Sequence, residues 1–219
     1  MIKYYIRSIK EINDPLIDFS LLQSISEDRA EKIKKYRQVD DRKRSVLAGE
    51  IINEILDSND IPNDKLYIDE HGKPGAEGIF FNISHSGKYV FGVQSDKIVG
   101  CDVEKIEKAH MNIAEKYFSR GEKEYIISSD NPDAAFFEIW TLKEAYLKMT
   151  GNGLAGGLKS FEIEYKESHF AIKGMTDVYL QAQIFDGHIF SVCGKGDIKR
   201  NLLSDFLQNE EKYNQWLNK

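Results

Sequence analysis

The sequence predicts an α+β fold built as two similar lobes, each a small antiparallel sheet packed against helices. Three observations predict it. Helical-period stretches give way to short strands, and that order is met twice along the chain. Turn signals at Ser95-Asp96 and Asp186-Gly187 join neighbouring strands as hairpins. A length of 219 residues with 41% apolar content suffices for one domain or two small lobes with ample core. The lobes meet near residue 100: an N-terminal lobe over 1–98, a C-terminal lobe over 99–200, then a polar helical tail over 201–219. No residue-level internal repeat accompanies the repeated order.

Each element has its own reason. Ser24 or Ser26 caps a helix that begins at Ser26-Glu27-Asp28 and ends near Tyr36. A second helix runs from about Asp41 to Leu56, with Val46, Leu47, Ile51, Ile52 and Ile55 on one stripe. Lys65 to Asp69 is a short strand, and His71-Gly72-Lys73-Pro74-Gly75 is a loop because Gly and Pro punctuate it. Strands follow at Ile79 to Ser84, Lys88 to Gln94 and Lys97 to Glu104. Helices then cover Ile113 to Tyr117, Glu122 to Ser128 and Asp133 to Thr150, the last stopped by Gly151-Asn152-Gly153. Phe161 to Tyr165, Val178 to Ile184 and His188 to Cys193 complete a second antiparallel set.

Composition narrows the function. A net charge of −6 argues against a general nucleic-acid binder. The charge is uneven, however. Arg29, Lys32, Lys34, Lys35, Arg37, Arg42, Lys43 and Arg44 lie together, opposed only by Glu31, Asp40 and Asp41. That run is either a local anion site or a solvated helix face. No apolar run approaches the roughly 18 residues of a membrane span. The start lacks the basic-then-apolar layout of a signal peptide. Two cysteines, Cys101 and Cys193, make no disulfide framework and suggest a reducing, cytoplasmic setting.

Two acidic clusters carry the chemistry. In Gly100-Cys101-Asp102-Val103-Glu104, alternation puts Asp102 and Glu104 on one strand face, roughly 6.5–7 Å apart. Two such carboxylates repel unless a cation, a proton or water lies between them. Glu144 and Lys148, four apart on a helix, share a face. As a surface pair they would contribute only about 0.3–0.5 kcal/mol; as site residues they add a third carboxylate and a cation for phosphate charge. Hard cations such as Mg²⁺ take oxygen ligands and keep substrate phosphates in their shell, so the set points to phosphate-ester chemistry. His85 leaves a strand into a Ser/Gly turn that can hold an anion. Lys73 is presented by a rigid Gly-Lys-Pro turn. Trp140 reads as core packing.

Taken together and in this order, the segments resemble the 4′-phosphopantetheinyl transferases of the surfactin-synthetase-activating type. The matching pieces are residues 44–50 (Arg44 to Glu50), His71 to Pro74, Phe81 to Ser86, Val99 to Glu104, Phe118 to Glu122 and Trp140 to Lys148. The length fits the single-chain, two-lobed form rather than the compact homotrimeric one. The resemblance implies transfer of the 4′-phosphopantetheine arm of coenzyme A to a serine of an apo acyl, polyketide or peptidyl carrier protein, releasing 3′,5′-ADP. It implies that Asp102, Glu104 and Glu144 hold Mg²⁺, with Mn²⁺ as an alternative, and that Glu144 and Lys148 are the catalytic pair. It implies CoA contacts from Arg44, Lys73, Pro74, Ser84, His85 and Lys148, with Arg44 and His85 near the 3′-phosphate. Arg29 and Lys32 match further basic positions. Glu122 matches an acidic position without an evident role. Cys101 departs from the aliphatic residue more usual there and should point into the core.

The resemblance implies CoA and a carrier protein as partners; the paired lobes point to a monomer, the cysteine usage to the cytoplasm, and the charge and hydropathy to neither nucleic acid nor membrane as a partner. Two other readings use the same residues. One is a different Mg²⁺-dependent phosphoesterase or nuclease with water as acceptor. The other is a module that binds CoA or a carrier without transfer.

Overall fold

The computed structural model describes residues 2–70, 72–151, 157–196 and 203–209. One plan is used twice. After β1 (Lys3–Ser8) come α1 (Ser20–Gln23), α2 (Glu27–Ile33), α3 (Val39–Asp57), the ribbon of β2 (Leu66–Ile68) and β3 (Pro74–Ala76), and the hairpin of β4 (Phe80–Ser86) and β5 (Tyr89–Ser95). After β6 (Val99–Lys105) come α4 (Met111–Tyr117), α5 (Arg120–Ser128), α6 (Pro132–Thr150), the ribbon of β7 (Ile163–Lys166) and β8 (His169–Ile172), and the hairpin of β9 (Val178–Phe185) and β10 (His188–Lys195). Residues 203–209 form α7. The main sheets are β1-β5-β4 and β6-β10-β9, both antiparallel, with the hairpin's second strand at the centre each time.

The central strands expose a repeat that the sequence hides. Tyr89-Val90-Phe91-Gly92-Val93 in β5 and His188-Ile189-Phe190-Ser191-Val192 in β10 hold matching places. Phe91 and Phe190 meet edge to face between the sheets, with centroids 5.2 Å apart. Ile6, Val93, Cys101, Val103 and Val192 complete this shared core, and Leu203 and Leu207 of α7 close it. Burying each phenylalanine contributes roughly 1.5–3 kcal/mol, so the centre of the molecule is the contact between lobes.

α3 covers the first sheet through Leu47, Ile51, Ile52, Ile55 and Leu56, a helical stripe facing Tyr5, Phe81 and Val90. α6 covers the second. Asn131 caps its first turn by accepting from the Ala134 N–H, Pro132 opens it, and Gly151 ends it at φ +75°.

Several sequence expectations need correction. Ser95-Asp96 is not a hairpin: β5 and β6 lie in different sheets, and the segment carries the chain from one lobe to the other. The signal misled because a polar two-residue turn looks the same whether or not its strands pair. The β5 hairpin is instead with β4, through Gly87-Lys88. Asp186-Gly187 does form its turn, with φ of +46° and +72°. The strands β1, β3 and β8 carried no sequence signal strong enough to be named. His71, Asn152-Gly153 and most of the 201–219 tail lie outside the described residues. Among the described residues no helix is long and apolar enough to cross a membrane.

Candidate active site

Three elements from both lobes meet at the site: β4, β6 and α6. Close approach of α6 to β6 depends on Gly100. A Cβ there would stand 2.1 Å from the Ala145 carbonyl oxygen and 2.5 Å from the Met149 nitrogen. The missing side chain lets Glu144 and Lys148 reach the Asp102–Glu104 face. Cys101 and Val103 point the other way and are fully buried in the shared core.

Opposite β6, alternate residues of β4 reach across the lobe boundary. Asn82 Oδ1 accepts from the Cys101 N–H at 2.9 Å, Ser84 Oγ donates to Asp102 Oδ1 at 2.7 Å, and Ser86 Oγ donates to Glu104 Oε2 at 2.6 Å. Lys148 Nζ lies 2.6 Å from Asp102 Oδ1 and 3.0 Å from Ser84 Oγ. Lys73, from the turn between β2 and β3, donates to the Lys148 carbonyl at 2.7 Å, so its charge lies at the C-terminal end of α6. Asn82 and Ser86 are site residues that sequence reasoning missed. Their period-two spacing with Ser84 was visible, but not that the strand faced β6.

The electrostatics follow from packing. Burial first, then repulsion from Asp102 and Glu104, pushes the Glu144 carboxyl up to about 7 despite the nearby Lys148. Glu104 is raised by burial first and then by Asp102 and Glu107, against the Ser86 bond and Lys148. Burial alone would lower the Lys148 ammonium, but Asp102, with Cys101 and Glu144, outweighs it and raises it. Burial lowers Lys73. Partial desolvation against the surroundings of β4, then the positive charges of Arg44 and Lys148, hold the His85 imidazole below its usual value although its surface stays open to solvent.

Asp102 Oδ2 and Glu144 Oε1 are buried with no hydrogen-bond partner. Leaving such oxygens unpaired is unfavourable by about 1–3 kcal/mol each, more when charged. Among the described residues no three His, Cys, Asp or Glu groups form a ready-made metal cluster; Lys148 and Ser84 take one Asp102 oxygen. Even so, the two orphan oxygens and the elevated Glu144 suit a divalent cation. The donors are hard oxygens and the local charge is negative, the conditions a Mg²⁺ site requires.

The basic segment divides. Arg42 is committed to Asp14 by two bonds of 2.8 and 2.6 Å, and Lys34 pairs with Glu31. Arg44 donates to Asp41 Oδ1 at 2.6 Å and to the Gly87 carbonyl at 2.5 Å. It borders a cleft of about 500 Å³ walled also by Ser86, Glu104, Phe137 and Trp140. Trp140 therefore lines the cleft as well as packing on Phe136. His85 is exposed on β4 and Lys32 is exposed on α2. Arg29 lies along α3, donating to the Ser45 carbonyl at 3.3 Å. Neither Arg29 nor Lys32 bonds the carboxylate cluster. Pro74 begins β3, beside Lys73.

Glu122 now has a role. It caps α5 with Ser119, accepts from the Ile163 N–H at 2.7 Å, and pairs with Lys143 at 2.7 Å, both side chains fully buried. Lys143 also donates to the carbonyls of Leu158 and Phe161. This pair is architectural: it ties α5, α6 and β7 together immediately behind Glu144.

Comparison with known proteins agrees with the geometry. Residues 98–193 match the 4′-phosphopantetheinyl transferase superfamily. The chain is 30% identical to the 4′-phosphopantetheinyl transferase gsp of Aneurinibacillus migulanus over 97% of its own length and 94% of the relative's. The chain belongs to the 4′-phosphopantetheinyl transferase family. Further relatives are the transferase psf-1 of Bacillus pumilus, 32% identical over 70% of this chain and 69% of that one, and Sfp of Bacillus subtilis (strain 168), 29% identical over 77% and 81%. In this transferase the superfamily match begins one residue before β6 and ends within β10, so it spans Asp102, Glu104, Glu144 and Lys148.

Proposed function

We propose that this chain moves the 4′-phosphopantetheine arm of coenzyme A onto a serine of an apo acyl, polyketide or peptidyl carrier protein, with Asp102, Glu104 and Glu144 as the holders of Mg²⁺. One observation carries the proposal: three carboxylates and two lysines from both lobes converge beside a cleft bordered by Arg44. Bound there, Mg²⁺ would neutralise charge on the pyrophosphate.

The carrier supplies the nucleophile. Its serine oxygen bonds to the phosphorus bearing the pantetheine arm. The bond from that phosphorus to the bridging oxygen breaks, and 3′,5′-ADP leaves with that oxygen. The serine proton needs a base, and the candidates are Glu144 and a water that the bound metal would hold. Lys148 and Lys73 offset charge on the leaving phosphate. Arg44 and His85 take the 3′-phosphate, Lys73, Pro74 and Ser84 add further CoA contacts on the side of Lys148, and Arg29 and Lys32 add positive potential. The lobes are 1–98 and 99–200, and the protein works as a cytoplasmic monomer.

The test is to incubate the protein with CoA, Mg²⁺ and a panel of apo carriers, then weigh the carriers intact. A gain of one phosphopantetheine arm, abolished by chelator and by Asp102→Ala or Glu144→Ala, is expected. Full turnover by either variant would refute the metal assignment. Cleavage of CoA without any carrier would favour the hydrolase reading.

A further inference from the structure

The β4–β5 turn joins Arg44 to the opposite lobe. Gly87, first of its two loop residues, has φ +52°, the conformation a type II′ turn demands there. Its carbonyl accepts from Arg44. From the second lobe the β9–β10 turn meets it. Asp186 forms an ion pair with Lys88 and accepts from the Tyr89 hydroxyl at 2.6 Å. The buried His188 ring packs so tightly that a Cβ on Gly87 would lie 2.4 Å from its Nε2.

Asp186 itself adopts φ +46°, which asparagine tolerates equally well. The turn alone therefore has no need of a carboxylate. The charge serves the neighbouring lobe: burial would raise Asp186, yet Lys88 and Tyr89 outweigh it and hold it below the usual range. Arg44 has two anchors. Asp41 lies one turn away on the same helix; the Gly87 carbonyl is the anchor on another element. A long guanidinium side chain loses rotamer freedom when it is ordered. An anchor that orders it beforehand leaves less to lose on binding.

We propose that Asp186 is a positioning residue for substrate binding: through Lys88 and Tyr89 it holds the Gly87 turn, whose carbonyl aims Arg44 at the 3′-phosphate of coenzyme A. The proposal rests on the reading of Arg44 as a CoA contact. It makes binding sensitive to the seating of one lobe on the other.

The experiment measures binding of CoA and of dephospho-CoA, which lacks the 3′-phosphate, by titration calorimetry. Wild type, Arg44→Ala and Asp186→Asn are compared, with thermal melts to check folding. Asp186→Asn should keep its melting temperature within a few degrees, because asparagine suits the turn. It should weaken CoA roughly 3- to 10-fold, part of what one charge-assisted contact contributes, and leave dephospho-CoA unchanged. A merely structural role would weaken both ligands alike, and that result overturns the proposal. So does selective loss in Arg44→Ala beside wild-type affinity in Asp186→Asn. If Arg44→Ala itself fails to separate the two ligands, the reading of Arg44 falls and takes the proposal with it.

Discussion

Replacing Lys143 by methionine tests whether the Lys143–Glu122 pair holds the fold or handles substrate. The ammonium makes three bonds, to Glu122 Oε1 at 2.7 Å and to the carbonyls of Leu158 and Phe161 at 2.7 and 2.8 Å. It also lies 4.3 Å from the Phe161 ring centroid. Burial lowers its pKa, against the pull of Glu122. Methionine fills a similar volume but strands a buried carboxylate and two carbonyls. Breaking one side of a buried pair costs about 3–5 kcal/mol. The lower half of that range is expected, because Glu122 keeps the backbone N–H groups of Ser119 and Ile163. For a chain of this size that is a fall in melting temperature of roughly 6–16 °C. The assay is urea and thermal unfolding of Lys143→Met, Glu122→Gln and the double variant. The double variant should be less damaged than the sum of the singles, since no bare charge remains. Stability within about 1 kcal/mol of wild type, accompanied by weakened CoA binding, would refute the reasoning and make Lys143 a ligand contact.

Three further outcomes are expected. Arg42 holds the Asp14 carboxyl at about 2, below its ordinary 3.8. A depressed carboxyl stabilises the fold above its unfolded value, and that contribution is lost as pH falls from about 4 towards 2; acid unfolding followed by circular dichroism should therefore be blunter in Asp14→Asn, and an unchanged profile would contradict it. Gly100→Ala forces α6 off β6 and should destabilise by about 1–3 kcal/mol while lowering kcat/KM roughly tenfold or more; wild-type turnover would show that the helix–strand approach does not set the site. Ser84→Ala removes a donor to Asp102 and an acceptor for Lys148, so the transfer rate should fall with CoA affinity less affected; equal rates at saturating CoA would remove Ser84 from the site.

What was legible in the sequence, and what was not, divides along the lobe boundary. Asp102 and Glu104 share a face because of strand alternation, and Glu144 and Lys148 because of helical spacing; both facts are local. The role of Gly100 is not local, since its neighbour is a helix that begins some thirty residues on. Asn82 and Ser84 were plain as a strand and Ser86 was read as the turn beyond it, yet all three find partners in the other lobe. The edge strand β1 pairs with β5 across most of the first lobe, too distant for any short-range pattern to announce. The internal repeat escaped notice for a similar reason. It covers a few residues of the central strands and can be aligned only once their places in the sheets are known.

That alignment explains why a duplicated fold carries one site. Phe91 faces Ile6 in the first sheet, and Phe190 faces Val103 in the second. By the same register Tyr5 stands in β1 where β6 has Asp102, and Arg7 where β6 has Glu104. Tyr5 is buried against the α3 stripe, and Arg7 pairs with Glu54 of α3 at 2.6 Å. The first lobe thus filled its strand–helix contact with an aromatic ring and an ion pair. The second kept carboxylates there and left two of their oxygens unpartnered. The first lobe is not idle, because Ser84 and Ser86 of its β4 hydrogen-bond those carboxylates, and Lys73 of its ribbon reaches the end of α6. One copy of the plan supplies the acids and the other holds them in place, so neither lobe alone contains the site.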